Sequence, residues 1–364
     1  MSDASLPPFP DDVPTVPLLV VDYALIKQRD QLETDRLWKA ATELGFWYLK
    51  NHGAEEETDG MFAMGAETMD LPLEEKMKFE QGDSGVSFGY KAKGTVATDA
   101  NGSKDGVEFI NVAKDDALSW PKVTHRTYPS TVEARMKSTI TPFVRKSVEI
   151  NTTLIDVFND KLGLPKGTLV EKHTLYDPSG SEARCIKSLA SDDLPQDNPS
   201  IGAHTDFGSL SFLHHRTIGG LQVQPPGTQG WKYVKPIPGH AICNIGDALT
   251  VLSGGILRSN LHRVIFPPKA QAACERWSLV FFTRPGNDVP LEPLSAQSAM
   301  IAGAASKGKY DTQSTAGEWF SRRVKNQRIN NRKASKPIMS IPQGPETWWA
   351  SRGTEHTGNA VAVY

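Results

Sequence analysis

His204 and Asp206 stand two residues apart in the run Gly202-Ala203-His204-Thr205-Asp206-Phe207-Gly208. Successive side chains of a β-strand point to opposite faces, so extended backbone here would turn an imidazole and a carboxylate into the same space. His262, in Ser259-Asn260-Leu261-His262-Arg263-Val264, is the candidate for a third ligand. Two histidines and one carboxylate on one face of a metal leave three coordination positions open, which suits Fe(II) chemistry with dioxygen. A His-x-Asp pair says little alone, because nine histidines at an ordinary aspartate frequency give about 0.5 such pairs by chance.

The pair gains weight from Arg276-Trp277-Ser278, at the head of a run to Phe282 that reads as a buried strand. Arg276 and Ser278 share a face by the same parity. A guanidinium and a hydroxyl aimed together into an interior call for an anion, because an unpaired buried charge is costly and the planar fork matches a carboxylate.

In this order the motifs resemble the Fe(II)- and 2-oxoglutarate-dependent dioxygenases, in the branch that contains isopenicillin N synthase and the plant flavonoid oxygenases. Gly45-Phe46-Trp47-Tyr48-Leu49-Lys50-Asn51-His52-Gly53 and Leu71-Pro72-Leu73-Glu74-Glu75-Lys76 resemble the amino-terminal region of that branch. Gly219-Gly220-Leu221-Gln222-Val223, Val234-Lys235-Pro236-Ile237-Pro238-Gly239, Asn244-Ile245-Gly246-Asp247 and His262-Arg263-Val264 follow in the expected order, so the likeness covers roughly residues 15 to 290. Leu257 to Val264 and Phe282-Thr283-Arg284-Pro285 look most like fungal members.

The resemblance implies a mainly β fold with flanking helices, a double-stranded β-helix (jelly-roll) core with the metal at its open mouth. It implies Fe(II) on His204, Asp206 and His262 as the catalytic metal ligands, with 2-oxoglutarate as cosubstrate and O2 as oxidant. The cosubstrate would chelate the iron through its 1-carboxylate and 2-oxo group and reach Arg276 and Ser278 with its far carboxylate. Oxidative decarboxylation to succinate and CO2 would then drive oxidation of a small-molecule substrate, with hydroxylation the default and desaturation or rearrangement as variants. One departure stands out: relatives carry a tyrosine-proline pair where Ser188-Leu189 aligns, and that tyrosine helps hold the cosubstrate carboxylate. Ser188 is too short to replace it without water, and Lys187 has the wrong parity unless the strand bulges. By position and parity, Phe88, Tyr90, Phe109, Phe282 and Arg284 are the candidates for the substrate pocket.

The elements that must position these residues are legible in outline. Asp30 to Leu44 has helical spacing and leads into an apolar strand at Phe46 to Leu49, and a second helix is predicted over Thr131 to Lys161. From Arg184 to Arg284 the pattern changes to short apolar runs cut by Gly and Pro. It predicts strands at Arg184–Leu189, Leu210–Leu213, Leu221–Gln224, Trp231–Val234, Ala241–Asn244, Leu261–Ile265 and Trp277–Thr283. Thr315 to Arg328 predicts a helix capped by Thr315. The chain reads as one elaborated domain over residues 1–364, with an amino-terminal dioxygenase region at 15–125, the jelly-roll core at 180–290 and a carboxyl-terminal helix and tail at 300–364. His214 and His215 are adjacent and would face opposite ways, which argues against their acting as ligands, and His52 is expected to structure a turn.

A net charge of −2 over 364 residues gives no general attraction to nucleic acid or to anionic membranes. The basic stretch Arg322, Arg323, Lys325, Arg328, Arg332, Lys333 and Lys336 reads as a solvated helix and tail, and Trp348-Trp349 as a dock for that tail beyond a loop at Ser335 to Gly344. Cys185, Cys243 and Cys274 read as buried free thiols, and no apolar run approaches the length of a membrane span, so a reducing, cytoplasmic setting is expected. Two further readings stay open: an oxidase of the isopenicillin N synthase type, which uses the same iron without 2-oxoglutarate, and a non-catalytic binding protein. A zinc hydrolase would leave Arg276-x-Ser278 without a role.

Overall fold

Alternation along β2 (Phe46–Lys50) sorts the molecule into layers. Phe46 and Tyr48 turn one way, into a cluster with Leu221, Val223, Ile242 and Val264. Trp47 and Leu49 turn the other way, into a larger cluster with Met61, Phe143, Leu154 and Phe158. The computed structural model describes residues 6–98, 103–188, 190, 199–307, 310 and 312–333.

Two sheets carry this division. The larger comprises β1 (Leu19–Asp22), β2, β3 (Gly89–Lys91), β4 (Val107–Ala113), β5 (Glu182–Ser188), β7 (Leu210–His215), β10 (His240–Ile245) and β12 (Arg276–Thr283), in the order β1-β2-β10-β7-β12-β5-β4-β3. The smaller comprises β6 (Pro199–His204), β8 (Leu221–Val223), β9 (Lys232–Tyr233) and β11 (His262–Ile265), in the order β6-β11-β8-β9. The β1-β2 pair is parallel and every other strand pair is antiparallel. The sheets face one another across the Phe46 cluster and a second one of Val107, Phe109, Ile186 and Val280, which is the jelly-roll interior. The outer face of the larger sheet is covered by the helices Glu55–Met69 and Thr141–Lys161. Approach on that side is close: a Cβ added at Gly65 would overlap Cys185 Sγ.

The predicted helix at 30–44 is Gln31–Glu43, with Asp30 as N-cap accepting from Glu33 N. The helix expected over Thr131–Lys161 is broken. A turn at Ser130–Glu133 is followed by a π-helical turn at Met136–Ile140, and the α-helix proper begins at Thr141. Pro142 lacks an N–H and cannot continue a ladder from upstream, so the chain enters the helix through a wider turn. Thr315 caps Ala316–Gln327 with a full capping box closed by Glu318. His52 structures a turn as expected, its Nδ1 accepting from Ala54 N at 3.2 Å. Cys185 and Cys243 are buried free thiols, whereas Cys274 is half-exposed, beyond a 3-10 turn at Lys269–Ala273 and outside any strand.

The solvated helix expected at the carboxyl-terminal end is not what forms. Arg323 and Arg328 are buried. Arg323 faces Asp247 at 3.7 Å and packs over the rings of Phe207 and Trp319. Arg328 reaches back across the chain to Asp83 (2.6 Å), Glu80 (2.5 Å) and Thr95 (3.0 Å), while the Ile329 amide donates to Thr95 O. Long cationic stems carry apolar surface, so a basic helix can lay one face on aromatic rings while acids meet its charged ends. The expected loop at Ser335 to Gly344, Lys336 and the Trp348-Trp349 dock lie outside the described residues. No helix among the described residues is long and apolar enough to cross a membrane.

Candidate active site

His204 ends β6 and His262 opens β11, and the two stand directly opposite in the antiparallel pairing, ring centroids 4.2 Å apart. Strand parity does not place Asp206, because β6 stops at His204. The aspartate lies in the following turn, where its main-chain oxygen accepts from the Asp247 amide at 2.8 Å. Its Oδ2 accepts from Ser211 Oγ on β7 and from Asn244 Nδ2 on β10 at 2.7 Å. That fixes Oδ1 toward the imidazoles, 3.7 Å from Nε2 of His204 and 3.7 Å from Nε2 of His262.

The other ring nitrogens settle the tautomers. His204 Nδ1 donates to Gly202 O at 2.7 Å and His262 Nδ1 to Asn260 O at 3.1 Å. A carbonyl only accepts, so in the neutral ring the proton sits on Nδ1 and the Nε2 lone pair faces the centre. Burial pushes His204 down to about 4, with His262 adding to the effect, so the ring is neutral near pH 7. Burial works to raise the Asp206 carboxyl, but His262, His204, Asn244 and Ser211 outweigh it and hold the group below its ordinary value, hence ionised. The three ligand atoms lie within 4.8 Å of one another. Bonds of about 2.1 Å at right angles would set them roughly 3 Å apart, so a divalent ion need draw them in by well under an ångström per bond. This donor set fits Fe(II).

A second polar group lies further along the same interior. Arg276 opens β12 directly opposite Ser188, the last residue of β5, and Ser278 stands opposite Ile186 on one side and His215 on the other. Arg276 is 4% exposed. Its Nε donates to Gly219 O at 2.8 Å, and among the described residues no carboxylate reaches the guanidinium. Burial pulls it down to about 10. Around it Ser188 Oγ, Ser278 Oγ and His215 Nε2 are buried without a hydrogen-bond partner. The guanidinium and the two serine hydroxyls are buried donors that the end of a dicarboxylate would satisfy, so they fit 2-oxoglutarate, whereas His215, its Nδ1 donating to Arg216 O, turns only an acceptor nitrogen toward them. Gly220 is required beside it. Its φ is +116°, and a Cβ there would fall 2.7 Å from Ile265 O and 3.3 Å from Arg276 Cδ.

Lys187 is on the other face of β5, paired with Glu275 at 3.0 Å and lying over the Trp277 ring. His214 turns toward the helices, against His52, Phe143 and Phe212. His215 was not selected from the sequence. Adjacency to His214 shows only that the two rings oppose, and the register that sets His215 across from Ser278 is what brings it to this group.

Phe109, Phe282 and Arg284 line a cavity whose wall includes His204 and Asp206, together with Ile186, Ile201 and Phe320. Phe88 and Tyr90 are not on it. β3 pairs Tyr90 with Ile110, a residue of the helix-side face, and there the Tyr90 hydroxyl donates to Glu108 at 2.6 Å. Phe88 packs on His125, centroids 4.8 Å apart. Arg184 is on the cavity wall and was passed over as a strand residue, although it shares parity with Ser188.

Models of two families match this chain: the 2OG-Fe(II) oxygenase superfamily over residues 183–285, and the amino-terminal region of the non-haem dioxygenases in morphine synthesis over residues 17–132. A 2-oxoglutarate-dependent dioxygenase of Aspergillus fumigatus is 28% identical over 94% of this chain and 94% of its own length. Leucoanthocyanidin dioxygenase of Vitis vinifera is 30% identical over 70% of each chain. Among solved structures, a full-length Neurospora crassa protein in complex with alpha-KG superposes with a TM-score of 0.70 at 21% identity, covering 88% of this chain and 99% of that one, a likeness of fold. The chain belongs to the 2OG-Fe(II) oxygenase superfamily. It is an Fe(II)- and 2-oxoglutarate-dependent dioxygenase, and its cofactors are Fe(II), 2-oxoglutarate and O2.

Proposed function

We propose that this enzyme oxidises a small organic molecule at a C–H bond, with hydroxylation as the outcome, while converting 2-oxoglutarate and O2 to succinate and CO2. The observation that carries the reading is Arg276, a desolvated guanidinium with no carboxylate of its own among the described residues, flanked by two unpartnered serine hydroxyls. A dicarboxylate oriented there would be pinned at one end by a bidentate charge-assisted contact. Its other end would be free to reach the interior mouth where His204, Asp206 and His262 hold the metal. Bound iron supplies the redox chemistry that couples decarboxylation to C–H oxidation. The residues themselves do three things. His204, Asp206 and His262 fix one face of the ion, Arg276, Ser278 and Ser188 hold the far carboxylate, and Phe109, Phe282 and Arg284 shape the substrate chamber. No role in it is assigned to Phe88 or Tyr90.

The test is succinate release from 2-oxoglutarate with Fe(II), abolished by a chelator and by His204→Ala, Asp206→Ala or His262→Ala in variants that keep the native circular dichroism. Oxygen consumption without succinate would point instead to an oxidase of the isopenicillin N synthase type. Near wild-type turnover in any one variant would remove that residue from the metal site.

A further inference from the structure

Positive charge in the wall of the chamber beside the metal site is unevenly matched by acids. Lys91 pairs with Asp105 and donates to Val107 O, Arg323 faces Asp247 at 3.7 Å, and Arg328 is held by both Glu80 and Asp83. Two arginines of the wall share a single carboxylate. Arg184 Nη2 lies 2.8 Å from Glu182 Oε1 and Arg284 Nη2 lies 3.1 Å from the same oxygen, while Glu182 Oε2 is taken by Ser87. Arg284 is 7% exposed and its Nε has no hydrogen-bond partner. Arg184 spends Nε on Asn111 and is flanked by the rings of Phe109 and Phe282, at 4.2 and 4.9 Å. Its remaining nitrogen, Nη1, has no partner among the described residues.

Charge bookkeeping separates this group from the cosubstrate. Two positive charges on Fe(II) and one on Arg276 are matched by Asp206 and the two carboxylates of 2-oxoglutarate. The Arg184–Glu182–Arg284 group is left with one positive charge that its own acid does not match, beside the apolar wall of Phe109, Ile186, Ile201 and Phe282 and apart from the acid-paired Lys91, Arg323 and Arg328. An enclosed charge of this kind attracts one counter-charge, and a planar guanidinium edge matches a carboxylate. A neutral substrate would leave the excess cation buried, and a dianion would overshoot.

We propose that the substrate is a monocarboxylic acid on an apolar body, with its carboxylate at Arg184 and its hydrocarbon or aryl portion between Phe109 and Phe282. This rests on the cosubstrate being seated at Arg276. Cinnamate, 4-phenylbutyrate and decanoate, each beside its primary amide, test it through dissociation constants measured anaerobically with Mn(II) and saturating 2-oxoglutarate, where no turnover occurs. At least one acid should bind tenfold or more tightly than its amide. Arg184→Gln should remove that preference, and Glu182→Gln, which takes away the acid that the two arginines share, should widen it. If no acid in the series binds more tightly than its amide, or if Arg184→Gln keeps the preference, the assignment is wrong. A parallel titration of 2-oxoglutarate separates the two readings. Intact cosubstrate binding with no acid preference overturns only the substrate class, whereas failure of 2-oxoglutarate to bind overturns the seat at Arg276 and this inference with it.

Discussion

Replacing Arg276 by glutamine should do two opposite things. In the ligand-free protein the guanidinium is buried and has no acid to balance it among the described residues, and burial pulls it from 12.5 to about 10. That displacement corresponds to a penalty of about 3 kcal/mol on the charged form. The Nε–Gly219 contact returns about 1 kcal/mol. Arg276→Gln is therefore expected to stabilise the ligand-free enzyme by about 2 kcal/mol, a rise of roughly 2–4 °C in thermal midpoint. With cosubstrate the sign reverses. Losing a bidentate contact to a carboxylate costs roughly 2–5 kcal/mol, or about 30- to 4000-fold in the half-saturation for 2-oxoglutarate. Arg276→Lys keeps the charge but loses the fork and the Gly219 contact, and should fall between. Differential scanning fluorimetry across a 2-oxoglutarate titration, under nitrogen with Mn(II), reads both effects in one experiment. Half-saturation within twofold of wild type in both variants would move the carboxylate elsewhere. A lower ligand-free midpoint for Arg276→Gln would mean that the buried charge is already balanced.

Three further outcomes follow from the packing. Ser188→Tyr places a phenol opposite Arg276 and should tighten 2-oxoglutarate by about 0.5–1.5 kcal/mol, roughly two- to tenfold, while Lys187→Met on the other face should leave half-saturation alone. An unchanged value for Ser188→Tyr would take that residue out of the cosubstrate seat. Gly65→Ala forces a methyl onto Cys185 Sγ and should cost about 1–3 kcal/mol by urea denaturation with the metal chemistry retained; no loss would mean the helix can shift away. His125 is held above its ordinary value by its hydrogen bond to Asp115, against the opposing effect of burial. A raised folded-state value stabilises at pH below the unfolded value, about 6.5, and the benefit fades as pH rises through the folded one. The difference in thermal midpoint between wild type and His125→Gln should therefore be larger at about pH 5.5 than at about pH 9, and a pH-independent difference would count against the pair.

Much of the site was legible because it depends on spacing within single strands. Arg276 and Ser278 do share the interior face of β12, and the His204–His262 pair comes from residues that bound their strands. Asp206 was chosen on parity, yet it sits beyond the strand end and is aimed by Ser211, Asn244 and the Asp247 amide. Those partners come from three other elements, and no local pattern announces them. His215 and Arg184 were missed for the same reason, since their meaning depends on which strand lies alongside. Tyr90 shows the converse. Its short strand lies at the edge of the larger sheet, and it is the register with Ile110 that reveals that it faces the helices. The basic run near the carboxyl terminus looked solvated because charge is visible in sequence and the acids that meet it, Glu80, Asp83 and Asp247, lie far away along the chain.

The clasp made by Arg328 has a consequence for the order in which the molecule comes into being. Every strand of both sheets, the three metal ligands and the whole seat around Arg276 are complete by Thr283. The wall bearing Phe320, Arg323 and Arg328 is contributed by residues synthesised afterwards, and it closes against Glu80, Asp83 and Thr95, which were made long before. A nascent chain can thus own an intact barrel and all three iron ligands while its substrate chamber still has one side missing. The iron ligands and most of the chamber's lining are finished first, and the wall that closes it arrives last.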